Sequence, residues 1–165
     1  MLKKHTNGAN IIVLNESDEI LVVKQNYGGR KWILPGGAIE RGETPRHAAQ
    51  EEAEEESGLN VYEHKMKLIA LCTQRLGLLA LYETNYFDGN ISTVPTPEIS
   101  AVKFMSFQEI IDKRDEFEIG YIRMIIMHRR CRHGLDTPVV ERRLVDKIEY
   151  PKGLDLEFDG VLLQI

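Results

Sequence analysis

The chain has 165 residues, of which 42% are hydrophobic and 28% are charged, so it can form one domain with a sizeable core. Its formal net charge of −5 provides no overall attraction for nucleic acid or for an anionic membrane. Cys72 and Cys131 are too few for a disulfide framework, and no apolar run approaches membrane-spanning length. These features predict a cytoplasmic protein with no membrane partner and make a nucleic-acid partner unlikely.

The first third of the chain predicts short strands and a glycine turn. Apolar runs separated by polar segments predict strands at residues 9–14, 20–25 and 32–34. The first two runs flank a polar turn, which favours a β-hairpin. The third run is followed by Pro35, Gly36 and Gly37. Because glycine lacks a Cβ, the backbone here can turn sharply and approach a ligand closely.

A helix is predicted after this turn. Thr44 is a suitable N-cap, Pro45 suits the first helical position, and Gly58 is typical of a helix end. Small side chains recur along one stripe of this helix, at Ala49, Ala53 and Ser57. We expect this stripe to let the helix pack closely against a sheet.

The remaining chain alternates again between strand and helix patterns. Strands are predicted at residues 65–75, 78–87 and 99–105, and helices at residues 107–113 and 118–133. The resulting order is typical of an α+β fold. Beyond it, residues 135–165 form an appendage in which residues 154–163 favour a second hairpin. This appendage either packs on the body or contacts a second subunit in a homodimer.

Five glutamates occupy the six positions from 51 to 56. Glu51 and Glu55, and likewise Glu52 and Glu56, are four residues apart, where like charges destabilise a helix. At about 100° per residue, Glu52, Glu55 and Glu56 share one third of the helix circumference. The pattern is compatible with a solvated acidic surface or with a divalent cation site, since hard cations prefer carboxylate oxygens.

The spacing around these glutamates resembles the Nudix hydrolase signature, G-x5-E-x7-R-E-U-x-E-E-x-G-U, where U is aliphatic. Eight of its nine fixed positions match in register: Gly37, Glu43, Glu52, Ala53, Glu55, Glu56, Gly58 and Leu59. The departure is Glu51, which stands where the family has arginine. The resemblance covers roughly residues 6–133 and implies a Nudix-type α/β/α sandwich with a central mixed sheet, formed by residues 1–134.

The same resemblance implies an activity and its residues. The expected reaction is metal-dependent hydrolysis of the pyrophosphate linkage in a nucleoside diphosphate joined to another moiety. It implies that Glu52, Glu55 and Glu56 hold Mg²⁺ or Mn²⁺ together with the carbonyl of Gly36. Two further glutamates are candidates for the chemistry: Glu43 to orient or ligate, and Glu98 to complete the metal shell or accept a proton. One of the metal-binding glutamates, Glu52 or Glu55, is an alternative proton acceptor.

The basic loop before Gly36 and Gly37 offers candidates for contacts with the substrate. Arg30 and Lys31 are candidates for a phosphate, and Trp32 could stack on a base or belong to the core. The basic stretch at residues 128–133 could bind phosphate or RNA, as in an RNA-cap hydrolase, or simply complement the end of its helix.

Glu51 leaves two functional expectations open, an active hydrolase and a weakened site. In the family the arginine at this position pairs with neighbouring glutamates and fixes their orientation. Either another cation (Arg30, Lys31, Arg41 or Arg46) replaces it and activity is preserved, or the site is weakened. The second case predicts a nucleotide-binding sensor or interaction module. We favour the first, because every candidate metal ligand is present.

Overall fold

The computed structural model describes residues 7–74 and 77–133, and the backbone of three later strands. The strands are β1 (Gly8–Val13), β2 (Ile20–Gln25), β3 (Trp32–Ile33), β4 (Gly36–Ala38), β5 (Asn60–Val61), β6 (Lys67–Gln74), β7 (Gly77–Thr84), β8 (Phe87–Asp88), β9 (Ile99–Met105), β10 (Val140–Arg143), β11 (Leu156–Phe158) and β12 (Val161–Leu163). The helices are α1 (Pro45–Ser57), α2 (Phe107–Asp112) and α3 (Ile119–Arg132).

Two sheets form the centre of the fold. The larger has the order β10-β6-β7-β1-β4, and the smaller has the order β3-β2-β9. The larger sheet is mixed, because β1 runs parallel to β7 but antiparallel to β4. The predicted α+β class and the α/β/α arrangement around a mixed sheet are therefore confirmed.

Alternate residues of β1 supply the two faces of the core. Ala9, Ile11 and Val13 join Ala49 and Ala53 of α1 in one buried cluster. On the opposite face, a second buried cluster contains side chains from the sheets, α2 and α3: Ile12, Val22, Leu81, Ile110, Ile122 and Ile125 among them. The sheets therefore separate α1 from α3.

The predicted hairpin between the first two strands is wrong. The two strands belong to different sheets, and they meet only at an isolated bridge between Leu14 and Ile20. Every residue of β1 is buried, so this strand has apolar neighbours on both faces and hydrogen-bonded strands on both edges. A continuous apolar run of this kind carries no information about which strand will be its partner.

Helix α1 has the ends that its sequence predicts. Thr44 Oγ1 accepts a hydrogen bond from the backbone N–H of His47 at 3.2 Å. Gly58 adopts a left-handed conformation with φ 79°, and its N–H donates to the carbonyl of Glu54 at 2.8 Å. Ala49, Ala53 and Ser57 are fully buried. The small-residue stripe thus brings the helix close to the sheet and fixes which way its glutamates point.

Beyond residue 133, the structure describes only backbone strands. Strand β10 runs parallel to β6 at the edge of the larger sheet, so this part of the appendage extends the main sheet. Strands β11 and β12 pair antiparallel with each other. The homodimer contact and the domain boundary at residue 134 stay predictions. Within the described part of the chain, no helix combines the length and apolarity needed to cross a membrane.

Candidate functional site

Helix α1 presents its glutamates to the turn that follows β3. The backbone N–H of Gly36 donates a hydrogen bond to Glu56 Oε2 at 3.1 Å. Gly36 has φ 148°, a backbone conformation that other residues rarely adopt. A Cβ at this position would lie 2.3 Å from the carbonyl oxygen of Ala9. Glycine is therefore required here by the backbone of β1, and the turn in return holds Glu56.

Gly37 has a different role from its neighbour. A Cβ on Gly37 would lie 2.0 Å from Glu52 Oε1 and 2.5 Å from Glu52 Cδ. The absence of a side chain therefore creates the space in which the Glu52 carboxylate lies. The two adjacent glycines receive the two carboxylates that the sequence singled out, four residues apart on α1.

Glu98 reaches the same place from another part of the chain. Its carbonyl accepts a hydrogen bond from the N–H of Asn26 at 2.7 Å, and its own N–H donates to Thr96 Oγ1 at 3.2 Å. The Glu98 carboxylate is close enough to raise the pKa values of both Glu52 and Glu56. These two hydrogen bonds of its backbone fix the Glu98 loop beside the two helix glutamates, although the Glu98 side chain is exposed.

Mutual repulsion and burial dominate the electrostatics of this group. Burial raises the pKa of Glu56 to about 8; the N–H of Gly36 opposes this rise, while nearby Glu52, Glu98 and Glu55 add to it. Burial is also the largest cause of the raised pKa of Glu52, followed by the charge of Glu55. We call Glu52, Glu55, Glu56 and Glu98 the inner carboxylates.

A second acidic group lies at the exposed start of the helix. Glu43, His47 and Glu51 place one ligand atom each within 4.8 Å of one another, and we call them the outer cluster. Glu43 Oε2 also accepts the N–H of Glu40 at 2.8 Å, and His47 Nδ1 lies 3.5 Å from Glu63 Oε2. Among described residues, no such close triad is formed by Glu52, Glu55 and Glu56.

The inner carboxylates have the properties that a divalent cation site needs. They offer several oxygen donors, which suit Mg²⁺ or Mn²⁺. Burial, with a smaller contribution from the neighbouring carboxylates, raises the pKa of Glu56 to about 8, so this carboxyl holds its proton near neutral pH when no cation is bound. The space beside Gly37 would be filled by any Cβ, so it is reserved for a carboxylate. The residues therefore fit a divalent ion.

Four basic side chains were considered as substitutes for the family's arginine at position 51. Two of them make hydrogen bonds elsewhere, and the other two are exposed. Arg46 donates to the carbonyls of Glu63 and Met66, and its guanidinium lies over the ring of Tyr82. Lys31 Nζ donates to the carbonyl of Asp115. The exposed residues Arg30 and Arg41 are the other two candidates. The charged groups that most affect the pKa values of Glu52 and Glu56 are all carboxylates.

The three substrate candidates lie in different environments. Arg30 is exposed in a left-handed conformation with φ 51°, and Lys31 is half-buried. Trp32 is only 8% exposed, and its ring stacks on Phe117 with 6.5 Å between centroids. The Trp32 ring therefore packs in the core and is poorly placed to stack on a base.

Two site neighbours were missed from the sequence: Asn10 and Tyr121. Asn10 is 3% exposed on β1, and its Nδ2 donates to the carbonyls of Leu34 and Pro35 at 3.2 and 3.1 Å. The side chain of Tyr121 on α3 packs against the buried cluster that contains Ile33, and it interacts electrostatically with Asn10 and Glu56. A polar residue within an otherwise apolar strand was the available signal for Asn10; Tyr121 offered none, since it fits the apolar pattern of its helix.

Comparison with known proteins supports the fold and the signature. A putative 8-oxo-dGTP diphosphatase from Bacillus subtilis (strain 168) is 48% identical over 56 residues, which are 34% of this chain and 37% of that protein. The match thus spans little more than a third of the curated relative's length.

Solved structures resemble the chain over a longer span. A NUDIX hydrolase from Nitrosomonas europaea superposes with TM-score 0.67 at 20% identity, covering 87% of this chain and 81% of that one. A bifunctional NMN adenylyltransferase/ADP ribose pyrophosphatase from Francisella tularensis, complexed with AMP and a Mn ion, gives TM-score 0.63 at 18% identity. It covers 77% of this chain and 42% of that one. At these identities the likeness concerns the fold.

The family model provides the assignment. The NUDIX domain model matches residues 4–125, which contain the glycine turn, α1 and Glu98. Together with the eight matching signature positions and the shared fold, this match shows that the chain belongs to the NUDIX domain family.

Proposed function

We propose that this protein is a pyrophosphohydrolase that cleaves the pyrophosphate linkage of a nucleoside diphosphate joined to another moiety. The observation that supports the proposal is the convergence of Glu52 and Glu56 on Gly37 and Gly36, with Glu55 and Glu98 near enough to raise the pKa values of both. A nucleotide substrate also fits the names of two similar proteins, an 8-oxo-dGTP diphosphatase and an ADP ribose pyrophosphatase.

The metal would be held by Glu52, Glu55 and Glu56, with the carbonyl of Gly36 as a further oxygen ligand. A bound Mg²⁺ or Mn²⁺ supplies positive charge to the phosphate oxygens and lowers the pKa of bound water. Because the inner carboxylates repel one another, they favour a cation over an empty arrangement. This preference also explains how the helix can carry three glutamates on one face, at positions 52, 55 and 56.

The chain's own residues then handle the proton and the orientation. The oxygen of a water molecule attacks one phosphorus, the anhydride P–O bond breaks, and the leaving phosphate departs with the bonding electrons. The proton of the water passes to a carboxylate, Glu98 or one of Glu52 and Glu55. Gly36 N–H fixes one oxygen of Glu56 during this step. Glu43 orients the start of α1, and Arg30 and Lys31 are proposed to contact the remaining phosphate.

The test is a panel of nucleoside triphosphates, dinucleotides and nucleoside diphosphate sugars, incubated with Mg²⁺ or Mn²⁺ and analysed for released phosphate-containing products. Glu52→Gln and Glu56→Gln are expected to lower kcat by roughly 100-fold or more, because each loses a charged oxygen ligand. Glu54→Gln is the matched control. Glu54 lies on the same helix, where its Oε1 accepts the N–H of Val61 at 2.9 Å, and a glutamine keeps this acceptor.

A second function is favoured by one observation, the absence of a cation among the main influences on Glu52 and Glu56. In this case the domain binds nucleotides as a sensor or interaction module. Saturable nucleotide binding without turnover, or turnover unchanged by Glu52→Gln and Glu56→Gln, would support this alternative and contradict the hydrolase. The cytoplasmic location and the homodimer remain predictions from the sequence.

A further inference from the structure

Asn10 places an amide inside the core, where a polar side chain is costly unless its hydrogen bonds are made. Its neighbours on β1 are apolar, and all six residues of the strand are buried. Asn10 Nδ2 donates to two successive carbonyls, those of Leu34 and Pro35. An amide NH₂ group has two hydrogens to donate, so these two bonds match its capacity. The side chain therefore binds one specific segment of chain.

That segment is the turn that forms the floor of the site. Pro35 has no N–H to donate, and it stands directly before β4, whose pairing with β1 begins at Gly36. The N–H of Ile11 also donates to the carbonyl of Pro35, at 3.0 Å. The next residue is Gly36, which is directly opposite Asn10 in the strand register and donates its N–H to Glu56. The bonds from Asn10 thus lie one residue from the contact that orients Glu56.

Tyr121 connects this amide to helix α3. The Tyr121 ring packs against the buried cluster that contains Ile33, the residue before Leu34, and burial raises the pKa of its hydroxyl to about 12, so the hydroxyl is neutral throughout the working range of pH. A further influence on Tyr121 is the charge of Glu56, which places the hydroxyl near that carboxylate as well. A single side chain from α3 therefore packs behind the segment that Asn10 binds and lies near the glutamate that Gly36 contacts.

We propose that Asn10 and Tyr121 are positioning residues that fix the carbonyl and the N–H of Gly36 relative to Glu56. The inference rests on the proposed function, because it assigns these residues to the metal-binding geometry of that reaction. They act through the turn and need no contact with the substrate. Partners of metal ligands in other proteins typically change affinity or activity by about 10–100-fold when they are removed.

Two substitutions test the pair with little change in shape. Asn10→Leu replaces the amide by an apolar group of similar size, and Tyr121→Phe removes only the hydroxyl. Tyr82→Phe is the control for the second, because Tyr82 is another tyrosine packed in the core, 6% exposed, that lies under Arg46 on the α1 side of the sheet. For each protein we would measure kcat, KM, the Mn²⁺ dissociation constant by electron paramagnetic resonance, and the thermal unfolding midpoint.

We expect Asn10→Leu to lower kcat and weaken Mn²⁺ binding by about 10-fold or more, and Tyr121→Phe to do so by about 3–10-fold. KM should change little, because neither side chain is assigned to substrate binding. The double variant should be no worse than Asn10→Leu alone, since the hydroxyl acts through the amide. Tyr82→Phe should keep kcat and Mn²⁺ affinity, even where its unfolding midpoint falls.

The outcomes separate this inference from the proposed function. An active wild type whose kcat and Mn²⁺ affinity are unchanged in both variants overturns the positioning role but leaves the hydrolase intact. Equal losses in Tyr121→Phe and Tyr82→Phe also overturn it, because the effect would then follow stability alone. If the wild type neither hydrolyses the panel nor binds Mn²⁺, the proposed function fails and the positioning role falls with it. If Asn10→Leu does not fold, the comparison of the two tyrosine variants decides.

Discussion

The inner carboxylates and the outer cluster differ in their surroundings more than in their residue types. Glu56 is partly buried and held by the N–H of Gly36, and its pKa is raised to about 8. Glu51, five positions earlier on the same helix, is exposed and lies near Glu43 and His47. Water screens the charge of an exposed carboxylate such as Glu51, whereas the partly buried Glu52 and Glu56 are stable only when protonated or neutralised by a cation. Position relative to the sheet, rather than the glutamate itself, thus determines which carboxylates have unusual properties.

The outer cluster also shows that close ligand atoms are not sufficient to locate a site. Its three ligand atoms lie within 4.8 Å of one another, and it includes an imidazole, a ligand that Mn²⁺ accepts less readily than carboxylate oxygen. However, two of its three residues are exposed, so their repulsion costs little without an ion. The inner carboxylates are the better candidates because two of them, Glu52 and Glu56, are already partly desolvated by the fold.

The largest effects on stability and on kcat are expected when either of the two adjacent glycines is replaced by alanine. Gly36→Ala places a Cβ 2.3 Å from the backbone oxygen of Ala9, and we expect a loss of about 3 kcal/mol or more in the free energy of unfolding. Gly37→Ala meets only the carboxylate end of Glu52, a flexible side chain that can move aside. It should keep the fold within about 1 kcal/mol but lower kcat by about 10–100-fold.

Urea denaturation together with nucleotide hydrolysis measures both quantities for each variant. Stability lost in Gly37→Ala to the same degree as in Gly36→Ala would contradict the division of roles between the two glycines. Full activity in a folded Gly37→Ala protein would mean that the position of Glu52 beside this turn is not needed.

A pH dependence of intermediate size is expected for the protein without metal. The folded pKa of Glu56, about 8, exceeds its ordinary value of 4.5, so the folded state binds this proton more tightly than the unfolded state does. The resulting stabilisation is fully present below about pH 4.5 and is lost as pH rises through about 8. Relative to Glu56→Gln, the wild type should lose on the order of 2–4 kcal/mol between pH 4.5 and 8.5.

Chemical denaturation in the presence of a chelator, at several pH values, measures this difference. Glu56→Gln is the reference for the wild type, because it lacks only the titration of Glu56 and retains all the other titrating groups. Parallel curves for the two proteins would show that Glu56 titrates normally. With Mn²⁺ present, affinity should rise over the same pH range, since binding requires the carboxylate to lose its proton.

The smallest effect is expected in the outer cluster. Glu51→Arg restores the cation found at this position in the family, and it should leave Mn²⁺ affinity within about twofold and kcat unchanged or a few-fold higher, as expected for an exposed charge. Glu51→Gln is the control that removes the charge without adding a cation. A fall in Mn²⁺ affinity of more than about tenfold in both variants would show that Glu51 is itself a ligand and that the comparison between the two groups fails.

Local sequence signals were sufficient for much of this molecule. Thr44, Pro45 and Gly58 predicted both ends of α1, and the small-residue stripe predicted the face on which it packs. These features depend on neighbours within one or two turns, so they are visible in the sequence. The hairpin was wrong because strand partners are chosen over long distances: β1 pairs with β7, some seventy residues away. Trp32 illustrates the same limit, since only the packing of Phe117 places its ring in the core.

The sequence by itself determined the identity of the inner glutamates, their common face on one helix and the glycine turn that precedes them, because the helical period and the signature spacing are local properties. Only the tertiary structure decided which oxygen meets which backbone group and that Asn10 and Tyr121 lie next to this site, whereas Glu98 was already expected there from the family resemblance. Those contacts join segments far apart in the chain, and burial, which raises the pKa of Glu56, arises only when the sheets and helices are packed together.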